Sequence, residues 1–87
     1  MGDRWWWLSF ADANRPKGTQ FLGAVLVRAG SMIEAVGNAH ILGINPGGEV
    51  RGFEIPDGTE PIASYTNRLL NREECEQFDR EMLEARR

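Results

Sequence analysis

Eighty-seven residues supply one hydrophobic core and not two, because a chain this short buries only ~60–65% of the surface it exposes when unfolded. With 41% apolar and 26% charged residues, and no run approaching ~18 consecutive apolar positions, the composition excludes a disordered tail and a membrane span. The net charge of −3 is uneven: residues 1–53 carry five basic and four acidic side chains and residues 54–87 five and nine, a balance that argues against gripping long nucleic acid.

The single cysteine, Cys75, rules out an internal disulfide and a multi-cysteine metal cage. The start Met1-Gly2-Asp3-Arg4-Trp5-Trp6 has neither the apolar run of a secretory signal nor a Ser or Thr at position 6 for myristoylation. The expected compartment is the cytoplasm. One α+β domain spanning residues 1–87 is expected.

Arg4 to Ala11 reads as a strand with Trp6, Leu8 and Phe10 on one face and Trp5, Trp7 and Ser9 on the other. The polar stretch Asp12 to Thr19 is the loop of an antiparallel hairpin. Gln20 to Arg28 is nearly continuous apolar sequence, as in a strand covered on both sides. Ser31-Met32-Ile33-Glu34 has capping-box form, Met32, Ala35, Val36, Ala39 and Leu42 recur at helical spacing, and Gly43 with Pro46 supplies the stop.

Glu49 to Ile55 reads as a third strand, closed by the turn formers Pro56-Asp57-Gly58. Residues 59–70 read largely as ordered loop, with Ile62-Ala63-Ser64-Tyr65 offering at most a short fourth strand. Asn71 with Glu74 caps a C-terminal helix, Leu70 is placed to staple onto Cys75, and the apolar stripe of that helix is narrow. The predicted order is β-β-α-β-(short β)-α. A right-handed crossover puts the third strand beside the first, giving a small, mainly antiparallel sheet of order 2-1-3 with helices on one face. A sheet covered on one face leaves the other in need of a partner, so a homo-oligomer, at least a dimer, is expected.

Trp5-Trp6-Trp7 cannot all enter one small core from a strand; Trp5 or Trp7 is therefore a candidate stacking platform for a base, with subunit packing as the competing role. In Asn45-Pro46-Gly47-Gly48, Pro46 fixes φ while the glycines permit φ > 0, and successive amides there can form a concave nest for phosphate; a plain helix-to-strand turn is the competing reading. Arg15, Lys17, Arg28 and Arg51 are the candidates to meet a ligand anion, with surface solubility as their other role. His40, late in the first helix, suits a solvated or core-edge position. With no second His or Cys at ligand spacing, no metal site is expected, and Cys75 reads as a core residue. No catalytic constellation and no cofactor motif emerges, so a binding protein, not an enzyme, is expected.

Trp7-Leu8-Ser9-Phe10-Ala11-Asp12, Phe21-Leu22-Gly23 and Gly43-Ile44-Asn45-Pro46-Gly47-Gly48-Glu49-Val50 resemble segments of small uncharacterised bacteriophage and prophage proteins, over roughly residues 5–55. In size and single-domain architecture the chain also resembles phage counter-defence sponges, small oligomers that bind nucleotide second messengers of bacterial immunity without cleaving them. That resemblance implies a cytoplasmic protein of the infected host that sequesters a cyclic dinucleotide or cyclic ADP-ribose type signal. The candidate ligand residues are then Trp5, Trp7, Arg15, Arg28, Asn45, Gly47, Gly48 and Arg51. A protein-binding inhibitor or structural phage accessory acting through the aromatic face is the alternative.

Overall fold

Alternation along the tryptophan strand decides the architecture. The structure, a computed structural model, describes residues 3–56, 61 and 63–85. Strands β1 (Arg4–Ala11), β2 (Phe21–Ala29) and β3 (Glu49–Glu54) form one antiparallel sheet in the order β2-β1-β3, the topology expected from the crossover. Leu8 stands opposite Val25 on one side of β1 and opposite Gly52 on the other. The register slips by one residue between Phe10 and Ala11, where Gly23 takes φ 133°. A Cβ on Gly23 would lie 2.6 Å from Leu69 Cδ1 and 2.9 Å from the Leu70 carbonyl oxygen, so the absent side chain is what lets residues 69–70 close on the sheet.

Helix α1 (Met32–Ile41) starts on Ser31, whose Oγ accepts from the Glu34 amide at 3.2 Å. The Glu34 carboxylate reaches the Gly30 N–H at 2.9 Å, one residue beyond the expected capping-box partner. Its Ala35 and Ala39 are buried against Leu8, Phe10, Val25, Val27 and Ala29 on one face of the sheet. Each fully buried aliphatic side chain there contributes about 1.5–3 kcal/mol.

Helix α2 (Arg72–Ala85) begins on a reciprocal cap: Glu74 N–H donates to Asn71 Oδ1 at 2.9 Å and Asn71 N–H to Glu74 Oε1 at 3.2 Å. It corrects the expectation of helices on one face. Cys75 and Phe78 of α2 pack with Ala24, Leu26, Tyr65 and Leu70, and with Trp5 and Trp7, on the face opposite α1. The physical reason lies in the alternation itself: Trp5, Trp7 and Phe21 demand a cover, and the chain has a second amphipathic helix to provide it. The aromatic face, from which self-association was expected, is therefore partly covered from within the chain.

Among the described residues of the segment expected as a short fourth strand, none lies in a strand. Ile62 lies outside the described residues, as do Asp57 to Glu60 of the turn and loop, while Ala63–Tyr65 make a 3₁₀ turn. The strand-like pairing comes later, as a single bridge in which Leu70 and Ala24 exchange backbone hydrogen bonds of 2.7 and 3.1 Å. Among the described residues no helix is long and apolar enough to cross a membrane.

Candidate functional site

The eight residues singled out as ligand candidates do not converge on one place. Trp5 and Arg28 do meet, because they are directly opposed in the β1–β2 register and so share a face. The Arg28 guanidinium carbon lies 5.6 Å from the centre of the Trp5 ring, within cation–π range. The guanidinium also donates to the Asp3 carbonyl at 3.2 Å, and Arg28 as a whole is exposed.

Around this pair the structure has a groove of about 280 Å³, lined also by Val27, Asn38, Ile41, Leu42 and Asn67. Two elements build its walls. The last turn of α1 brings Asn38, Ile41 and the C-cap residue Leu42. The loop before α2 brings Asn67, held at φ 59° in the left-handed region that Asn tolerates better than most residues, with its N–H bonded to the Leu26 carbonyl at 2.8 Å. Asn38 Nδ2 donates to the Arg28 carbonyl at 2.9 Å, which fixes the amide and leaves its oxygen as an acceptor. An indole face, a guanidinium, two carboxamides and two aliphatic walls make a surface suited to a flat polar ring carrying negative charge.

Trp7 lies apart from this groove. Its ring stacks on Phe78 of α2 with centroids 5.4 Å apart and planes at 19°, and stands 6.5 Å from Phe53. It is a packing residue between sheet and helix, and α2 covers part of the aromatic face through which a protein-binding reading was to act, leaving Phe53 58% exposed. Trp6 points to the other side and donates from Nε1 to the Ala29 carbonyl at 3.0 Å.

The Asn45-Pro46-Gly47-Gly48 loop is a turn with its own acceptor. The Gly47 N–H, expected as part of a phosphate nest, donates to Asn45 Oδ1 at 2.8 Å. Gly47 and Gly48 take φ of 86° and 77°, and a Cβ on Gly48 would collide with the Ala11 carbonyl oxygen. Arg51 is exposed on β3 beside a separate depression of about 300 Å³ lined by Ser9, Gln20 and Glu49 among others. Arg15 and Lys17 are exposed on the β1–β2 loop, where the Arg15 carbonyl accepts from Gln20 Nε2 at 2.9 Å.

Sequence reasoning missed Asn38, Ile41, Leu42 and Asn67. Ile41 and Leu42 carried a signal, since two large apolar residues closing a helix cannot both face its sheet. Asn67 carried none, being set in place by the Leu26 hydrogen bond. Cys75 is buried, and burial pushes its thiol up to about 11. Comparison of the chain with protein-family models, with curated proteins and with solved structures gives no match.

Proposed function

We propose that the protein is a non-enzymatic binder of a nucleotide-derived ligand taken up in the groove at Trp5 and Arg28. As the phage-protein resemblance implies, its role would be to sequester an immune signal of the cyclic dinucleotide or cyclic ADP-ribose type. The observation that carries the reading is the Trp5–Arg28 pair, with the guanidinium 5.6 Å from the indole centre at the mouth of the groove. A purine stacks on indole whatever its sequence context, and an arginine beside it meets phosphate with paired donors. The Asn38 and Asn67 carboxamides offer donors and acceptors to a base edge. At about 280 Å³ the groove takes one base-bearing half of such a ligand. Of the other candidates, Arg51 and the Gly47/Gly48 turn belong to a different part of the surface and have no part in this reading.

A second reading, binding to a host protein, is favoured by a different observation: Ile33 and Ile41 of α1 are 86% and 81% exposed. Mass spectrometry of small molecules released by heating protein purified from infected or signal-producing cells separates the two. An intact nucleotide is the expected result; a hydrolysed one would make the protein an enzyme, and none would favour the protein partner.

A further inference from the structure

The two edges of the sheet are finished differently. Along β2 several outward backbone groups are taken: Ala24 exchanges bonds with Leu70, the Leu26 carbonyl accepts from the Asn67 N–H, and the Arg28 carbonyl accepts from Asn38 Nδ2. β3 pairs only with β1. The Ile55 N–H donates to the Trp5 carbonyl at 2.8 Å, which fixes the phase of the ladder. Residues 49, 51, 53 and 55 therefore turn their backbone groups to β1, and Val50, Gly52 and Glu54 turn theirs outward. Among the described residues these outward groups have no partner. Glu49–Glu54 contains no Pro, no Lys and no slip in register, so its guards are its short length and the charges of Glu49, Arg51 and Glu54, which leave the backbone edge itself open.

We propose that this edge pairs with β3 of a second copy, antiparallel about a two-fold axis at Gly52. The occupant follows from the self-complementarity of the strand. Outward groups meet only when even-numbered residues face even-numbered residues, which leaves few registers. An axis at Arg51 sets two guanidinium groups directly opposite each other, and like charges in that position are destabilising. An axis at Val50 uses Gly48, where the chain has already turned away at φ 77°. An axis at Phe53 brings in Pro56, which has no N–H to give.

The axis at Gly52 avoids all three. Val50 faces Glu54 of the second copy, Gly52 faces its own counterpart, and each such pair exchanges two backbone hydrogen bonds. On the α2 side Arg51 stands opposite Phe53 of the second copy, a residue 58% exposed whose ring, beside Trp7 on one side, offers its other face to a guanidinium. The result is a continuous six-stranded sheet with isologous symmetry. The β3 edge lies across the sheet from the Trp5–Arg28 groove, so this pairing stands or falls independently of the ligand reading.

The test is disulfide capture with two single-cysteine additions, Arg51→Cys and Phe53→Cys, both at exposed positions. Directly opposed residues in a non-hydrogen-bonded pair have Cα atoms about 4.5 Å apart, within disulfide reach. Mixed and oxidised, the two variants should form a cross-linked pair of twice the 9.8 kDa chain mass, several-fold faster than either variant alone. Circular dichroism checks that both fold, and the buried native Cys75 serves as the internal control. In the wild-type protein, exchange at the amides of Val50, Gly52 and Glu54 should slow as concentration rises while the Ala24 amide is unchanged. A strictly monomeric mass with concentration-independent exchange overturns the proposal. So does faster capture in Arg51→Cys alone, which would place the axis at Arg51, or a dimer in which the mixture fails to cross-link.

Discussion

The rings of Trp7 and Phe78 stack almost parallel, 19° between planes and 5.4 Å between centroids, and this contact holds the C-terminal helix to the sheet. Phe78 in turn meets Tyr65 edge-on at 5.4 Å, so the helix, the 3₁₀ turn and β1 share one aromatic cluster. Phe78→Ala should cost about 3–5 kcal/mol, and the Trp7/Phe78 double-mutant cycle should show a coupling of about 0.5–1.5 kcal/mol. Urea unfolding of the two single variants and the double variant measures both.

Gly23 and Gly48 sit at φ 133° and 77° with backbone or side-chain atoms where a Cβ would go. Alanine at either position carries the left-handed penalty of about 1–2 kcal/mol and a collision in addition. Melting should fall by roughly 4–8 °C for each kcal/mol lost, whereas Gly18→Ala, where a Cβ meets nothing, carries the conformational cost alone. Thermal unfolding of the three variants checks the order.

The cap of α2 predicts an acid-side dependence. The Asn71 backbone N–H, and after it the Arg68 guanidinium, hold the Glu74 carboxyl below its ordinary value of 4.5. A carboxylate whose folded value is depressed stabilises the fold at neutral pH, and that contribution is lost as pH falls through the folded value. Glu74→Gln should therefore be less stable than wild type at pH 7 and close to it at strongly acid pH. Asn71→Ala should cost about 1 kcal/mol at neutral pH. Denaturant titrations across the acid range give both comparisons.

Cys75 sets the opposite dependence at high pH. Burial first, and then the nearby Asp79 and Glu74 charges, push its thiol from 9.0 to about 11. Between those values the unfolded thiol ionises while the folded one does not, so stability falls as pH rises through that window. Cys75→Ala should flatten this slope. The native thiol should react slowly with a disulfide reagent at pH 8, and fast once the protein is unfolded.

Much of the fold was legible because local signals agreed. The Ser31 and Asn71 caps, the unbroken apolar run of β2 and the alternation of β1 each named an element, and chirality of the crossover named the strand order. The side on which α2 packs was not legible, since a narrow stripe of Cys75, Phe78 and Met82 fits either face and is assigned only by the demand of Trp5, Trp7 and Phe21. Of the candidate site, Trp5 and Arg28 were legible as types, but their meeting depends on a register set by the Gly23 bulge. At the Gly47–Gly48 segment the sequence left a turn and an anion nest open, because an Asx turn and a nest share the same glycine pattern; the acceptor that takes the Gly47 N–H, Asn45, is internal.

The central claim is that a nucleotide-derived ligand stacks on Trp5 beside Arg28, and a fluorescence titration tests it most directly. Cyclic dinucleotides, cyclic trinucleotides and cyclic ADP-ribose isomers are added to wild type, Trp5→Phe, Trp5→Ala, Arg28→Ala and Arg51→Ala while tryptophan emission is followed. One ligand should quench wild type saturably, Trp5→Phe should lose most of the quench, and Trp5→Ala should weaken binding by on the order of 1–3 kcal/mol. Arg28→Ala should weaken it by a similar amount, and Arg51→Ala, across the sheet, should bind as wild type does. Saturable binding that survives Trp5→Ala and Arg28→Ala, or no change in emission and melting temperature with any member of the panel, would contradict the claim.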